Sequence, residues 1–159
     1  MSPPENSDKL FLDVNALAIT LVEDHPGHSY LYDTLESGLL GEDQLLVHDY
    51  LPLRAQWVLT TKWGIERHVA RNAVTSFLNQ PVRIVSASRE TLFDAYEISA
   101  RKNHDVYDSF FIALCRQEAV DRLVSTDGDF ESLCADESTD WHNPVPDETR
   151  KQFHRFNEE

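Results

Sequence analysis

The sequence predicts an α/β protein in which helices pack on both faces of a mostly parallel sheet of four or five strands. Short apolar runs alternate along the chain with longer segments whose apolar residues recur at helical spacing. The chain has 159 residues, enough for one domain with a buried core, and neither a repeat nor a linker divides it. In such a domain we expect a ligand at the carboxyl ends of the strands.

Four apolar runs are predicted strands, because each is short, is bounded by turn residues and leads into a helical pattern. They cover residues 9–13, 44–47, 82–86 and 122–126. A fifth strand, at one edge of the sheet, is expected in the acidic extension of residues 136–159, which contains Trp141. Residues 1–8 are expected to form a disordered tail and the chain from Asp147 a mobile one, so the domain proper covers residues 9–135.

Helical segments fill the intervals between these runs, with apolar residues three and four positions apart. The predicted helices start at Asn15 and then cover residues 28–37, 49–62, 66–78, 89–100, 106–116 and 129–133. Asp49 is the expected N-cap of the third of these helices. The segment 106–116 is apolar on nearly all sides, so we expect it to lie buried in the centre of the domain.

The composition is strongly acidic, because 28 Asp and Glu residues against 14 Lys and Arg give a formal net charge of −14. Binding to a polyanion normally depends on Lys and Arg. Either nucleic acid is not the partner, or the acidity is an adaptation to high salt, since at ~1 M salt the Debye length falls to about 3 Å and surface charges hardly interact. The acidic residues are spread along the chain and lysine is scarce, so we favour a halophilic protein.

Neither a membrane span nor a secretory signal is predicted. No run of about 18 apolar residues occurs, and residues 1–8 are polar. Two cysteines, Cys115 and Cys134, are too few for a disulfide framework, and Cys115 sits in an apolar helical run where we expect it to be buried. We therefore predict a cytoplasmic protein with free thiols.

Three aspartates stand where a predicted strand ends or a predicted helix starts. Asp13 ends the first strand, Asp127 follows the fourth, and Asp108 begins the buried helix. In a parallel sheet all three would face one crevice. Two carboxylates at ~4 Å repel by roughly 4 kcal/mol at an effective dielectric of about 20, and a hard cation such as Mg²⁺ or Mn²⁺ offsets this repulsion. The sequence therefore indicates metal-assisted phosphodiester chemistry.

Each of these carboxylates also has a purely structural interpretation. Asp13 could cap the helix that follows it, and Asp105 competes with Asp108 to cap the buried helix. Asp127 and Asp129 could form a turn in which a side chain bonds to the backbone two residues on. We favour the site interpretation for Asp13, Asp108 and Asp127, and leave Asp129 open between the two.

The histidines and tryptophans give a weaker signal. The seven histidines show no spacing typical of a zinc site. His48 and His104 fall near the predicted crevice, and we interpret them as polar loop residues. Trp57 and Trp63 are interpreted as core or dimer-surface residues rather than as platforms for stacked bases.

Three segments carry a resemblance to a known family through their order and spacing. Their sequences are FLDVNAL at residues 11–17, YDSFFIAL at 107–114 and LVSTDGDF at 123–130. Over residues 10–133 the chain resembles the PIN domain and, within that superfamily, the VapC-type toxins of toxin–antitoxin pairs. Each motif alone is weak, whereas the ordered set, with Thr-Asp-x-Asp-Phe after a strand, is fairly specific.

The resemblance implies a Rossmann-like three-layer sandwich that cleaves RNA as an endoribonuclease with Mg²⁺ or Mn²⁺. It also implies a homodimer that is neutralised by a small protein antitoxin. Asp13, Asp108 and Asp127 would be the catalytic metal ligands, and Asp129 an accessory one. The residues that would contact the substrate are Asn15, which would orient water or phosphate at the metal, Thr126 and Arg54.

One position departs from the family pattern. Members carry a Glu in the helix after the second strand, and the corresponding run LRAQWVL, residues 53–59, places Arg54 there. No neighbour of Arg54 one helical turn away is acidic, and Asp49 lies about 140° round the helix. Arg54 could face solvent, could insert its guanidinium among the three aspartates in place of a cation, or could contact RNA phosphate beside an intact metal site.

Two further functions are consistent with this departure. A catalytically impaired binding module would keep the fold and the dimer, and would act by binding an antitoxin or RNA. A hydrolase of small phosphate esters would share the carboxylate site but would ignore RNA. A basic residue at position 54 favours the binding module over the enzyme.

Overall fold

The chain forms one parallel sheet of five strands in the computed structural model, which describes residues 7–154. The strands are β1 (Lys9–Leu12), β2 (Gln44–His48), β3 (Val82–Val85), β4 (Arg122–Val124) and β5 (Asp140–His142). Their order across the sheet is β3-β2-β1-β4-β5, and every neighbouring pair is parallel. The predicted α/β class is therefore confirmed, with β3 and β5 at the two edges.

Helices cover both faces of this sheet. They are α1 (Val14–Thr20), α2 (His28–Leu39), α3 (Leu51–Trp57), α4 (Arg67–Leu78), α5 (Arg89–Lys102), α6 (Val106–Glu118), α7 (Asp129–Cys134) and α8 (Asp147–Arg150). Helices α1 to α4 pack together, as do α5 to α7. Because crossovers between parallel strands are right-handed, the strand order places these two groups on opposite faces. The result is the expected three-layer sandwich.

The central strand β1 explains why an apolar run encodes a strand here. Leu10, Phe11 and Leu12 are completely buried, because helices cover both faces of the sheet at its middle strand. Phe11 meets Phe111 of α6 edge to face, with ring centroids 5.9 Å apart. Phe111 in turn meets Phe130 of α7 at 5.8 Å, so three elements share one aromatic core.

Helix α6 is as buried as its composition predicted. Residues 111–115 are at most 1% exposed, and the Cys115 thiol among them is free. Burial raises the pKa of both cysteine thiols, to about 12 for Cys134. Thiols with raised pKa values carry little thiolate at neutral pH, so both cysteines act as small apolar side chains.

The helix predicted over residues 49–62 differs from expectation at both ends. It begins at Leu51 with Tyr50 as N-cap, and the Asp49 carboxylate instead accepts a hydrogen bond from Ser86 Oγ at 2.9 Å. The prediction that Asp49 is the N-cap of this helix was therefore wrong. The second residue of the helix is Pro52, which has no N–H for a cap to bind.

The same helix ends in a π-helical segment, Val58–Lys62. Within it, Thr60 Oγ1 donates to the carbonyl of Gln56 at 3.1 Å, a side-chain bond that competes with the backbone ladder. Lys62 at the end of this segment lines one pocket together with its neighbours Trp57 and Trp63.

The segment after residue 135 contributes β5 and α8. Trp141 of β5 donates its indole N–H to the carbonyl of Ser125 at 3.2 Å. A mobile tail was expected from Asp147, yet Phe153 packs on His25 with ring centroids 4.6 Å apart. Residues 1–6 of the expected N-terminal tail and residues 155–159 lie outside the described part of the chain. No helix between residues 7 and 154 is long and apolar enough to cross a membrane.

Candidate active site

Asp13 lies at the carboxyl end of the central strand and caps helix α1. One carboxylate oxygen accepts from the backbone N–H of Ala16 at 2.7 Å, and the other accepts from Ser125 Oγ at 2.5 Å. The residue is only 3% exposed. The capping interpretation is therefore correct, and it coexists with a position at the ligand-binding edge of the sheet.

Asp108 is free of the capping role that competed for it. Helix α6 is capped by Asp105, whose carboxylate accepts from the backbone N–H groups of Tyr107 at 3.1 Å and Asp108 at 3.3 Å. The Asp108 side chain is 22% exposed, and its Oδ2 lies 3.8 Å from Nδ1 of His104, one turn earlier. Its carboxylate is thus accessible at the start of the buried helix.

Asp127 follows β4 and forms the turn that its spacing indicated. Its Oδ1 accepts from the backbone N–H of Asp129 at 3.0 Å. Its own N–H donates at 2.9 Å to Ser125 Oγ, the same hydroxyl that donates to Asp13. Ser125, which the sequence did not single out, therefore connects the Asp13 carboxylate to the backbone of Asp127.

The three aspartates interact electrostatically. Burial raises the pKa of Asp13 to about 7, and the charges of Asp127 and Asp108 add to that rise. The pKa of Asp108 rises to about 6, again chiefly through burial and then through Asp127, Asp105 and Asp129. Such paired carboxylates hold a proton near neutral pH, or a cation in its place.

The tightest group of potential metal ligands differs from the predicted set. Ligand atoms of His104, Asp108 and Asp129 all lie within 4.8 Å of one another, and no other trio of His, Cys, Asp or Glu between residues 7 and 154 is as close. Asp127 acts electrostatically on Asp108, and both of these aspartates act on Asp13, so Asp13 and Asp127 stand beside this trio. The sequence analysis placed His104 near the crevice but interpreted it as a polar loop residue, although its i, i+4 spacing from Asp108 could have indicated a shared site.

These donors fit a divalent cation. Two carboxylates suit Mg²⁺ or Mn²⁺, and an imidazole nitrogen in the set favours the transition metal. The His104 Nδ1 atom is buried and has no hydrogen-bond partner among the described residues. A buried acceptor without a partner is costly, and a cation at this position would satisfy it.

Arg54 is exposed and stacks on Tyr107, with its guanidinium carbon 5.1 Å from the ring centroid. Within residues 7–154 it forms no ion pair with a carboxylate, so the guanidinium is not inserted among the aspartates. Beneath it, His48 Nδ1 accepts from the N–H of Tyr50, and Nε2 lies 3.3 Å from the Tyr107 hydroxyl.

The three predicted substrate contacts meet in one pocket. Asn15, Arg54 and Thr126 line a pocket of about 480 Å³ together with Trp57, Lys62 and Trp63. Asn15 follows Asp13 by two residues and Thr126 directly precedes Asp127, so the pocket adjoins the carboxylates. Neither the tryptophans nor Lys62 had been assigned to a site from the sequence.

A five-stranded parallel sheet with carboxylates at its carboxyl edge defines the class: an α/β protein with a candidate metal site at the ends of its strands. The model of the PIN domain family matches residues 10–136 of the chain. The chain therefore belongs to the PIN domain family.

Two solved structures of VapC proteins are similar to the chain in fold. VapC20 of Mycobacterium tuberculosis, a toxin that cleaves the sarcin–ricin loop, matches with a TM-score of 0.62 and 16% identity, over 77% of this chain and 93% of that one. VapBC2 of Rickettsia felis, bound to a DNA fragment from its promoter, matches with a TM-score of 0.65 and 15% identity, over 85% and 98%. No curated protein matches the chain by sequence. The resemblance to VapC-like PIN proteins is confirmed as one of fold.

Proposed function

We propose that the chain is a metal-dependent endoribonuclease and the toxin of a type II toxin–antitoxin pair. The observation that carries this proposal is the coupled carboxylate cluster at the carboxyl edge of a PIN fold, where Asp13 and Asp108 have raised pKa values. Support also comes from the similarity in fold to VapC20, which cleaves the sarcin–ricin loop. Burial is the main cause of both shifts and the neighbouring carboxylates add to it, and such shifts are typical of functional sites.

The metal would be Mn²⁺ or Mg²⁺, with Asp108 and Asp129 as ligands and His104 joining them. When bound, the cation lowers the pKa of water and stabilises charge on the scissile phosphate. Asp13 and Asp127 complete the proposed catalytic set, and Ser125 fixes the orientation of the Asp13 carboxylate. Because the Asp108 side chain is partly exposed, its carboxylate is open to solvent and would also accept a proton from water.

A second function, a catalytically impaired binding module, is favoured by one observation. Arg54 stands where the family carries Glu, and its side chain rests on Tyr107. A cation there adds positive charge where the family supplies a further carboxylate for the metal. This module would bind RNA or an antitoxin without cutting.

Cleavage of RNA in molar salt with Mn²⁺ or Mg²⁺ separates the two functions. The experiment compares the unaltered protein with Arg54→Glu and with Asp13→Asn. The second variant is the control that lacks a proposed catalytic carboxylate. Cleavage by the unaltered protein and its loss in Asp13→Asn would support the enzyme. Cleavage only after Arg54→Glu would identify a disabled nuclease whose role is binding. Unchanged cleavage by Asp13→Asn would contradict the assignment of that residue.

The proposed partners are RNA, a second copy of the chain and a protein antitoxin. Helix α5 presents Leu92, Phe93 and Tyr96, which are 48%, 71% and 65% exposed, and such a side-by-side apolar set supports a homodimer. The antitoxin is proposed from the similarity in fold to VapBC2. Light scattering of the protein and of Phe93→Asp tests the dimer, since a monomer in both cases would refute it.

We propose a halophilic setting from the charge of −14, and a cytoplasmic one from the two free, buried cysteines. Self-repulsion at low ionic strength destabilises such a chain, and salt screens it. Circular dichroism and light scattering in dilute buffer test this. A protein that stays folded and monodisperse without salt would remove the support for halophily.

A further inference from the structure

The pocket beside the carboxylates differs from the rest of the molecule in charge. We call it the aromatic–basic pocket, and it is defined by Asn15, Arg54, Trp57, Lys62, Trp63 and Thr126. Among its lining residues in the described range 7–154, Arg54 and Lys62 carry charge and none is Asp or Glu. In a chain with twice as many acidic as basic residues, two cations on a wall without a carboxylate, beside the Asp13–Asp127 cluster, form a local anion-binding region.

Aromatic rings hold both cations in place. The Arg54 guanidinium lies over Tyr107 at 5.1 Å, and Lys62 Nζ lies 5.8 Å from the Trp57 ring centroid. Trp57 itself is 49% exposed, although a large apolar ring is normally buried. The pocket therefore presents fixed positive charge next to an open indole face.

We propose that the aromatic–basic pocket binds one nucleotide of a single-stranded RNA segment, next to the phosphate that is cut. The base stacks on the exposed indole of Trp57, and the flanking phosphates contact Arg54 and Lys62. The amide of Asn15 and the hydroxyl of Thr126 supply hydrogen bonds to the sugar or base edge. This inference rests on the proposed function for the identity of the ligand as RNA, but its test does not depend on cleavage.

A nucleotide fits these groups better than an acidic peptide. A carboxylate side chain would pair with the two cations but would not contact the face of the Trp57 indole. A nucleotide would make both contacts, because it carries a flat base close to a phosphate. The volume of about 480 Å³ lies within the range of small-ligand pockets. A duplex would not fit, because its bases are stacked on one another and are not available to side chains.

High salt makes the aromatic part of the pocket more important. Attraction between surface charges and phosphates falls with the Debye length, while stacking acts at contact and survives. An acidic protein in molar salt therefore needs stacked bases to hold RNA. The pocket explains how a chain with a charge of −14 can bind a polyanion.

Binding of a short fluorescent oligoribonucleotide, followed by anisotropy in EDTA, tests the pocket without cleavage. We expect Trp57→Ala to weaken binding roughly tenfold or more, because loss of one stacked base costs that much. The matched control is Tyr30→Ala, which removes a ring on α2 that is 38% exposed and lies outside the pocket. Circular dichroism and light scattering confirm that each variant keeps its fold and assembly.

The slope of affinity against salt tests the two cations. With two phosphate contacts on a single strand, log K should fall against log salt concentration with a slope of about −1.4. Lys62→Ala should make the slope shallower by about 0.7, since each neutralised phosphate contributes that amount. Arg71→Ala, which removes an exposed cation from α4, should leave the slope unchanged.

Each outcome decides the proposal. The proposal is overturned if Trp57→Ala, Lys62→Ala and the unaltered protein bind single-stranded RNA with equal affinity. It is also overturned if duplex RNA binds more tightly than single-stranded RNA. A third contrary result would be that an acidic peptide displaces the labelled RNA while unlabelled single-stranded RNA does not. If the variants lose affinity and no protein cleaves RNA, the pocket stands and the nuclease function fails. If the unaltered protein cleaves and the variants bind and cleave equally well, the function stands and the pocket fails.

Discussion

Two adjoining regions at the carboxyl edge of the sheet carry opposite charge and are held in place in different ways. The carboxylates of Asp13 and Asp127 are fixed by backbone N–H groups and by the Ser125 hydroxyl. The cations of the aromatic–basic pocket are instead held over aromatic rings on the surface of helices. Both arrangements combine near and distant contacts. Asp13 caps α1 and also bonds to Ser125, 112 residues away, whereas Lys62 lies over the nearby Trp57 and Arg54 over the distant Tyr107.

This difference predicts which substitutions affect chemistry and which affect binding. Carboxylates that also cap a helix or close a turn can be replaced by amides with little loss of structure, because Asn fills the same backbone positions. Their charge is lost, and with it their proposed role at the metal. Changes in the pocket should alter RNA affinity and leave the carboxylates intact.

The largest effect is expected at the start of helix α6. Asp108→Asn should reduce cleavage by about 10²-fold or more, since a proton acceptor and metal ligand would be lost together. The matched control is Asp105→Asn, three residues earlier, where an amide still accepts from the N–H groups of Tyr107 and Asp108. Cleavage rates in Mn²⁺ measure both variants. Equal losses in the two would mean that Asp108 acts only through the fold of the helix.

The carboxylates show how far the sequence alone leads. Asp13 was predicted correctly at a strand end, because the short apolar run before it marks a buried strand and a polar residue ends that run. The turn at Asp127 followed from local spacing. The motif favoured Asp108 over Asp105 for the site, but spacing alone did not say which of them caps the helix, because both positions suit an N-cap and only the actual start of the helix decides.

The pocket could not be predicted, because its parts come from different elements. Arg54 was recognised as a departure from the family pattern, but the position of its guanidinium depends on contact with Tyr107, which is 53 residues away in the sequence. The π-helical segment that carries Lys62 has no strong sequence signal either. Position-specific contacts between distant residues do not follow from periodicity, so such sites need the folded chain.

A second effect concerns stability and its dependence on pH. The pKa of Asp13 is raised by burial to about 7 in the folded protein, above its unfolded value of 3.8. Between these values the unfolded chain gives up the proton and the folded chain keeps it, so this group lowers stability as pH rises from 4 to 7. Asp13→Asn removes this loss of stability, because an amide does not ionise, and should raise the free energy of unfolding by up to about 4 kcal/mol at pH 8.

Urea unfolding in EDTA and molar salt checks this prediction. The gain from Asp13→Asn should shrink towards zero below about pH 3, because the carboxyl group is then protonated in both states. Asp43→Asn, whose carboxylate accepts from Asp8 and Ser37 far from the site, serves as the matched control. A gain independent of pH would mean that packing of the amide, rather than relief of a buried charge, stabilises the variant.

The smallest effect is expected beneath Arg54, where the two regions meet. Burial lowers the pKa of His48 to about 4, so its ring is neutral at pH 7, and Nδ1 is already an acceptor for Tyr50. The proton therefore lies on Nε2, which donates to the Tyr107 hydroxyl over a long 3.3 Å. Tyr107→Phe removes this bond and should cost no more than about 1 kcal/mol of unfolding free energy.

The ring that supports Arg54 remains in Tyr107→Phe, so RNA affinity in EDTA should not change. Tyr107→Leu removes the ring, and the cation–π contribution of about 0.5–1 kcal/mol disappears with it. RNA affinity should then fall by about three- to fivefold, because Arg54 is no longer held at the edge of the pocket. If Tyr107→Phe weakened RNA binding as much as Tyr107→Leu, the hydroxyl group and its bond to His48, rather than the aromatic face, would be what positions the guanidinium.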